Sequence, residues 1–206
     1  IQTWGTNNNS VINNEKSKLL YILKHSPSKD ILPKKILGFK VYDSLKLLGV
    51  TWTQNLSFNT HVDMLIKRAS QRLHLLRILK SLLPKAELWN IYFALIRSLV
   101  EYACQLFITL PKNLSKNLER IQLRAHRIIC GYNPCDCKVV TLEERRRILA
   151  LRLFKNSMDM NHPLNGFLPP LTKHRRRIVP INTTNRRRNS FFVKCTILQK
   201  NIIVED

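Results

Sequence analysis

Arginines at helical spacing are the residues of this sequence best suited to chemistry. Arg120, Arg124 and Arg127 follow an i, i+4, i+7 pattern, so in a helix they share one face. That face lies roughly 100° round from the apolar stripe of the same segment. Arg68 and Arg72 stack similarly beside an earlier stripe, and Arg145-Arg146-Arg147 opens a later helix. A guanidinium presents a planar fork of donors that matches the oxygens of a phosphate. Charge runs are ordinarily solvated faces, but acids are scarce here. Against 13 Asp+Glu stand 35 Lys+Arg, a formal charge of +22. Self-repulsion on that scale weakens a lone compact chain unless a polyanion neutralises it. Nucleic acid is the first such partner, and an anionic membrane surface the second. The clusters Lys173–Arg177 and Arg186-Arg187-Arg188 equally suit nuclear-import signals, so a nuclear or cytoplasmic location is expected.

Other chemistries find less support. Cys130, Cys135 and Cys137, with His126 or His162, can be written as a zinc site, but C-x4-C-x-C departs from the usual C-x2–4-C pairs. Loop and core thiols are the simpler reading, and no metal site is assigned. Five cysteines without paired spacing suit reduced thiols. Five scattered glycines form no phosphate loop, and no Ser/His/Asp motif stands out. No carboxylate cluster suggests a pair of Mg²⁺ ions for nucleotidyl transfer. Leu88–Leu110 is nearly continuous apolar sequence, but Arg97 and Glu101 fall in its middle. A charge at a bilayer centre costs roughly 2.5–3.5 kcal/mol, so a core helix is expected there and no transmembrane segment.

The elements that position these arginines are three consecutive amphipathic helices. The first opens with Thr60 and Asp63 spaced as a capping box and carries Val62, Leu65, Ile66, Ala69, Leu73 and Leu76 on one stripe. The second starts at Pro84, with Leu88, Ile91, Leu95, Leu99 and Tyr102 expected to be buried. The third buries Leu114, Leu118, Ile121, Ala125, Ile128 and Ile129 and stops at Gly131. A fourth helix, capped by Thr141 and Glu144, is expected to reach about Met160, and regular structure becomes doubtful from His162 onward. Upstream, Leu19–Leu23, Ile36–Val41 and Lys46–Trp52 read as short strands, with His25–Lys35 as a polar connection and Tyr42–Leu45 as a turn. The expectation is a mainly α chain: a helical bundle preceded by a small antiparallel β element, α+β overall. Three segments follow: 1–54 with the strands, 55–131 with the three-helix core, and 132–206 with the fourth helix and a basic, partly irregular tail.

In order, several blocks resemble the reverse transcriptases of non-LTR (LINE-like, jockey-type) retrotransposons, in the region after the catalytic core. They are Leu47-Leu48-Gly49-Val50-Thr51 with Asn55–Phe58 and His61, Ala69–Leu73, Ile96–Ala103, Leu118–Gln122 with Ala125, and Thr141–Arg146. Trp4 with Asn13–Ile22 is similar to an upstream segment of that family, and Ser190-Phe191-Phe192 to its Ser-Phe motif. The resemblance implies the end of the palm, the primer grip and a thumb-like bundle lying along an RNA/DNA template–primer duplex. Lys16 matches a lysine that is a candidate proton donor to pyrophosphate, and Leu48 and Gly49 match the primer grip. The arginines at 68, 72, 120, 124, 127 and 145–147 are then the candidate nucleic-acid contacts. The family's Tyr/Phe-Ala-Asp-Asp motif is not in this sequence, and the Trp-Asn-Xaa-Leu expected after the Ser-Phe motif is missing. The chain is therefore expected to bind no metal itself, to be inactive alone, and to depend on upstream palm and fingers for Mg²⁺ chemistry. A degenerate or domesticated, non-enzymatic nucleic-acid-binding protein is the alternative.

Overall fold

A computed structural model describes residues 2–11, 13, 15–22, 35–36, 39–132, 139–171, 179 and 190–204. Leu23, most of His25–Lys35, Cys135, Cys137 and the clusters at 173–177 and 186–188 lie outside them. The fold is mainly α with a small β portion, as expected. It divides into two compact units, Ile1–Asp63 and Met64–Asp206.

The first unit opens with α1 (Gln2–Asn7) and holds five short strands: β1 (Leu19–Leu20), β2 (Lys35–Ile36), β3 (Phe39–Tyr42), β4 (Ser44–Leu47) and β5 (Val50–Thr53). β1 pairs parallel with β3 and β2 pairs antiparallel with it, so this sheet is mixed. β4 and β5 form an antiparallel hairpin in register Leu47↔Val50. Lys46–Trp52 is thus not one strand. Leu48 and Gly49 form its two-residue tip, with φ of 47° and 82°. Positive φ at both central residues is the signature of a type I′ turn, whose twist suits a hairpin. Glycine takes that conformation freely, whereas leucine crowds its Cβ against the following carbonyl. Replacing Leu48 by Asn, which tolerates the left-handed region, is expected to raise stability by about 1 kcal/mol. A thermal melt checks this, and an unchanged or lower midpoint would count against it.

Helix α2 (Asn59–Leu79) begins one residue before Thr60, so Thr60 lies within the first turn and does not cap it. Ser57 does part of that work, its hydroxyl accepting from the Asn59 N–H at 3.3 Å. Val62, Leu65, Ala69, Leu73 and Leu76 are buried, as their spacing predicts, and Ile66 is half-buried. The predicted second helix is α3 (Lys85–Ile91), a π-helical stretch (Tyr92–Arg97) and α4 (Ser98–Glu101). Pro84 sits at its cap. Its buried residues are Leu88, Tyr92, Ile96 and Val100, whereas Leu95 and Tyr102 are 39% and 55% exposed. The physical reason is winding. Four-residue spacing drifts about 40° per step on an α-helix, and the wider π turns reverse that drift and keep the row on one face.

Helix α5 (Lys112–Cys130) buries Leu114, Leu118, Ile121, Ala125 and Ile129, and ends at Gly131 with φ 81°. Gly131 is the position where a C-terminus favours glycine. Helix α6 (Leu142–Asn156) is capped by Thr141, whose hydroxyl accepts from the Glu144 N–H at 3.2 Å. It stops four residues short of Met160, at Ser157, whose hydroxyl turns back to the Phe154 carbonyl. Regular structure also returns beyond His162. Helix α7 (Phe191–Val204) contains two residues of the Ser-Phe-Phe block, and Phe191, Phe192 and Cys195 pack on Ala150 and Phe154 of α6. Short apolar runs after a basic, proline-containing stretch gave no helical period to read, so packing on α6 decides the outcome.

Candidate nucleic-acid interface

The arginines divide into two kinds by their partners. Where α4, α5 and α6 meet, they are held by carboxylates. Arg145 grips Glu101 with both ends of its fork, Nε to Oε1 and Nη2 to Oε2 at 2.9 Å each, and Arg97 donates to the same Oε1 at 2.6 Å. Burial pushes the Glu101 carboxyl up, but the hydrogen bonds from Arg145 and Arg97 outweigh it and hold it below the usual value. Arg147 pairs with Glu144 at 3.2 Å.

Arg146 is 3% exposed. Its Nη2 donates to the Ser115 hydroxyl at 2.6 Å, and that hydroxyl donates to Glu143 at 3.2 Å. Its Nε and Nη1 meet no hydrogen-bond partner among the described residues. Expecting Arg146 at a phosphate-binding surface is therefore corrected: it points into the core. Its spacing gave the signal, since residues 142, 146, 150 and 154 form the buried row of α6. Burial lowers the tendency of this guanidinium to hold its proton, opposed by Glu143, Cys104 and Glu119.

A second hydrogen-bond network completes the junction. Gln122 accepts from the Tyr92 hydroxyl at 2.8 Å and donates to the Val140 carbonyl at 3.0 Å and Glu119 at 3.1 Å. Glu119 also accepts the Leu142 N–H at 3.0 Å, and burial raises its carboxyl above the usual value. Burial likewise lifts the Cys104 thiol to about 11 and the Cys195 thiol to about 12. Such thiols carry little thiolate at neutral pH. Three of the 13 acids, Glu101, Glu119 and Glu143, are thus engaged at one junction, and Glu144 pairs with Arg147 on the surface of α6.

On the outer face of α5 the partners are different. Arg120, Arg124 and Arg127 are exposed. Arg120 reaches the Asn117 side-chain oxygen at 3.0 Å, and Arg124 reaches the Ser70 hydroxyl on α2 at 3.4 Å. These are neutral oxygens, so the charge of this row is uncompensated by any carboxylate among the described residues. Arg72 is exposed and donates to the Leu95 carbonyl of the π-helical stretch. Residues 70 and 72 lie about 160° apart round α2, because each residue advances the helix by about 100°. Arg68 lies about as far from Ser70. The two arginine groups read together from the sequence therefore occupy opposite edges of α2, and only the α5 row borders Ser70.

The aromatic rings near α5 are on its other side. Trp89 stacks on Phe93 at 5.7 Å and meets His126 edge-on, and Arg97 covers Phe93 at 5.3 Å. His126 stands two residues from Arg124, so this column does not border the arginine row. Lys16 is exposed, and its backbone N–H joins that of Glu15 on the Asn13 side-chain oxygen at 3.0 Å, which fixes a short turn. Leu48 and Gly49 lie at the hairpin tip described above, with Leu48 82% exposed. Among the described residues no group of His, Cys, Asp and Glu is placed to hold a metal ion, and no helix is long and apolar enough to cross a membrane. Compared with protein-family models, curated proteins and solved structures, the chain matches none of them.

Proposed function

We propose that this chain is part of an RNA-directed DNA polymerase of a non-LTR retrotransposon, in which the helical unit holds the template–primer duplex by its phosphates. The observation that carries the binding half of this reading is the exposed row Arg120, Arg124 and Arg127, whose described partners are neutral oxygens, while Glu101, Glu119 and Glu143 are engaged at the α4–α6 junction. On α5 that row spans about 10 Å at about 1.5 Å per residue, the axial length over which one strand of a duplex presents about three phosphates. The polymerase half rests on the sequence blocks alone. Lys16 and the Leu48-Gly49 tip keep the roles that the resemblance gives them, and Mg²⁺ belongs to the complete polymerase.

The test is binding of an RNA/DNA duplex as salt is raised. A linear fall of log K with log salt, with a slope of about −3 or steeper, is expected if three or more phosphates are neutralised. Absence of binding at low salt would remove the reading. Incorporation of nucleotide by this chain alone is expected to be undetectable. A chain that binds duplex, and whose upstream coding sequence carries no Tyr/Phe-Ala-Asp-Asp, is instead the non-enzymatic binding protein.

A further inference from the structure

We infer that the interface has a second wall, the edge of α2 formed by Lys67, His74 and Arg77, and that with the α5 arginines it grips one sugar–phosphate backbone without reading bases. This rests on the function proposed above. The contact that places the two walls side by side is Arg124 on Ser70. Relative to Ser70, the residues three before, four after and seven after lie within about 60° round the helix. These are Lys67, His74 and Arg77, and all three are exposed. Sequence reading singled out Arg68 and Arg72 on α2 instead, which the same geometry assigns to the far edge.

The chemistry of this edge fits a phosphodiester chain better than base edges or a protein. Its polar tips are cationic or imidazole donors, and its one acid, Asp63, stands two turns before Ser70 on α2. The rings of Trp89, Phe93 and His126 are engaged with one another away from the arginine row. Contacts of this kind position a nucleic acid and carry no sequence information. A second copy of this chain, itself at +22, would be repelled from such a surface.

Lys67 and Arg68 are neighbours in sequence, both exposed and of the same charge, but round α2 Lys67 lies about 60° and Arg68 about 160° from Ser70. They provide a matched pair. Binding of one duplex by Lys67→Gln, Arg77→Gln and Arg68→Gln is to be measured against salt, using the full chain. Each of the first two is expected to flatten the salt slope by about 0.9 and weaken binding roughly eightfold at 0.1 M salt, the effect of one lost phosphate contact. Arg68→Gln is expected to change neither beyond about twofold. Replacing the duplex by one of shuffled sequence is expected to leave every ratio unchanged. Equal effects of Lys67→Gln and Arg68→Gln would overturn the second wall, leaving the α5 row intact. Ratios that depend on sequence would overturn blindness to bases. Failure of the unaltered chain to bind would strike the underlying function instead.

Discussion

Replacing Arg120, Arg124 and Arg127 together by glutamine is expected to weaken duplex binding several-hundred-fold at 0.1 M salt. Three phosphate contacts at about 0.9 each remove about 2.7 from the salt slope, and at 0.1 M each contributes a factor of roughly eight. The loss should be uniform across sequences, and affinities extrapolated to 1 M salt should converge with those of the unaltered chain. Folding should be little affected, because all three side chains are exposed and the two with described partners bond neutral oxygens. Surface substitutions of this kind ordinarily change stability by about 0.5 kcal/mol or less. Circular dichroism and a thermal melt verify that point. Binding that survives the triple change with its slope intact would take α5 out of the contact surface.

The same three changes explain how far the site was legible in the sequence. The row on α5 could be read because helical period, apolar stripe and arginine spacing all fall within one element. Period alone also gave most of the buried apolar residues of α2 and α5 and the glycine that ends α5. Ile66 and Ile128 are only half-buried, however, and the buried His61, Ser115 and Gln122 lay outside it. What period could not supply was the partner of each charge. Arg145 and Arg147 look like Arg120 in a sequence, yet Glu101 lies 44 residues from Arg145 and its carboxylate takes that fork. Arg146 had its own signal in the four-residue row with Leu142, Ala150 and Phe154, although a guanidinium is seldom buried. The π-helical stretch defeated the stripe of the second helix, because a 3.6-residue template assigns Leu95 and Tyr102 to the core where the winding exposes them. Lys67 and Arg77 were missed since which edge of α2 faces α5 is a tertiary fact, fixed by Arg124 on Ser70.

The junction that withholds Arg145 also makes the second large prediction. Glu101→Ala removes the carboxylate on which both Arg97 and Arg145 close, in a site where its side chain is only 16% exposed. Two arginines would be left facing each other with Arg146 buried nearby. Breaking a buried pair by removing one partner costs about 3–5 kcal/mol, and partial exposure of Arg145 should reduce this to about 2–4 kcal/mol. Glu101→Gln should cost less, because the amide oxygen still accepts one of the hydrogen bonds. The pH dependence gives an independent check. The Glu101 carboxyl titrates lower in the folded chain than in the unfolded one, so its stabilisation is fully present above about pH 4.5 and is lost as pH falls through the folded value. Glu119, raised by burial, acts in the opposite direction, its protonation favouring the folded chain as pH falls. Denaturant unfolding of the unaltered chain and Glu101→Gln between pH 3 and 7 should therefore show a gap that is widest near neutrality and closes in acid. A gap independent of pH would mean that the geometry of the side chain, and not its charge, holds Arg97 and Arg145 in place.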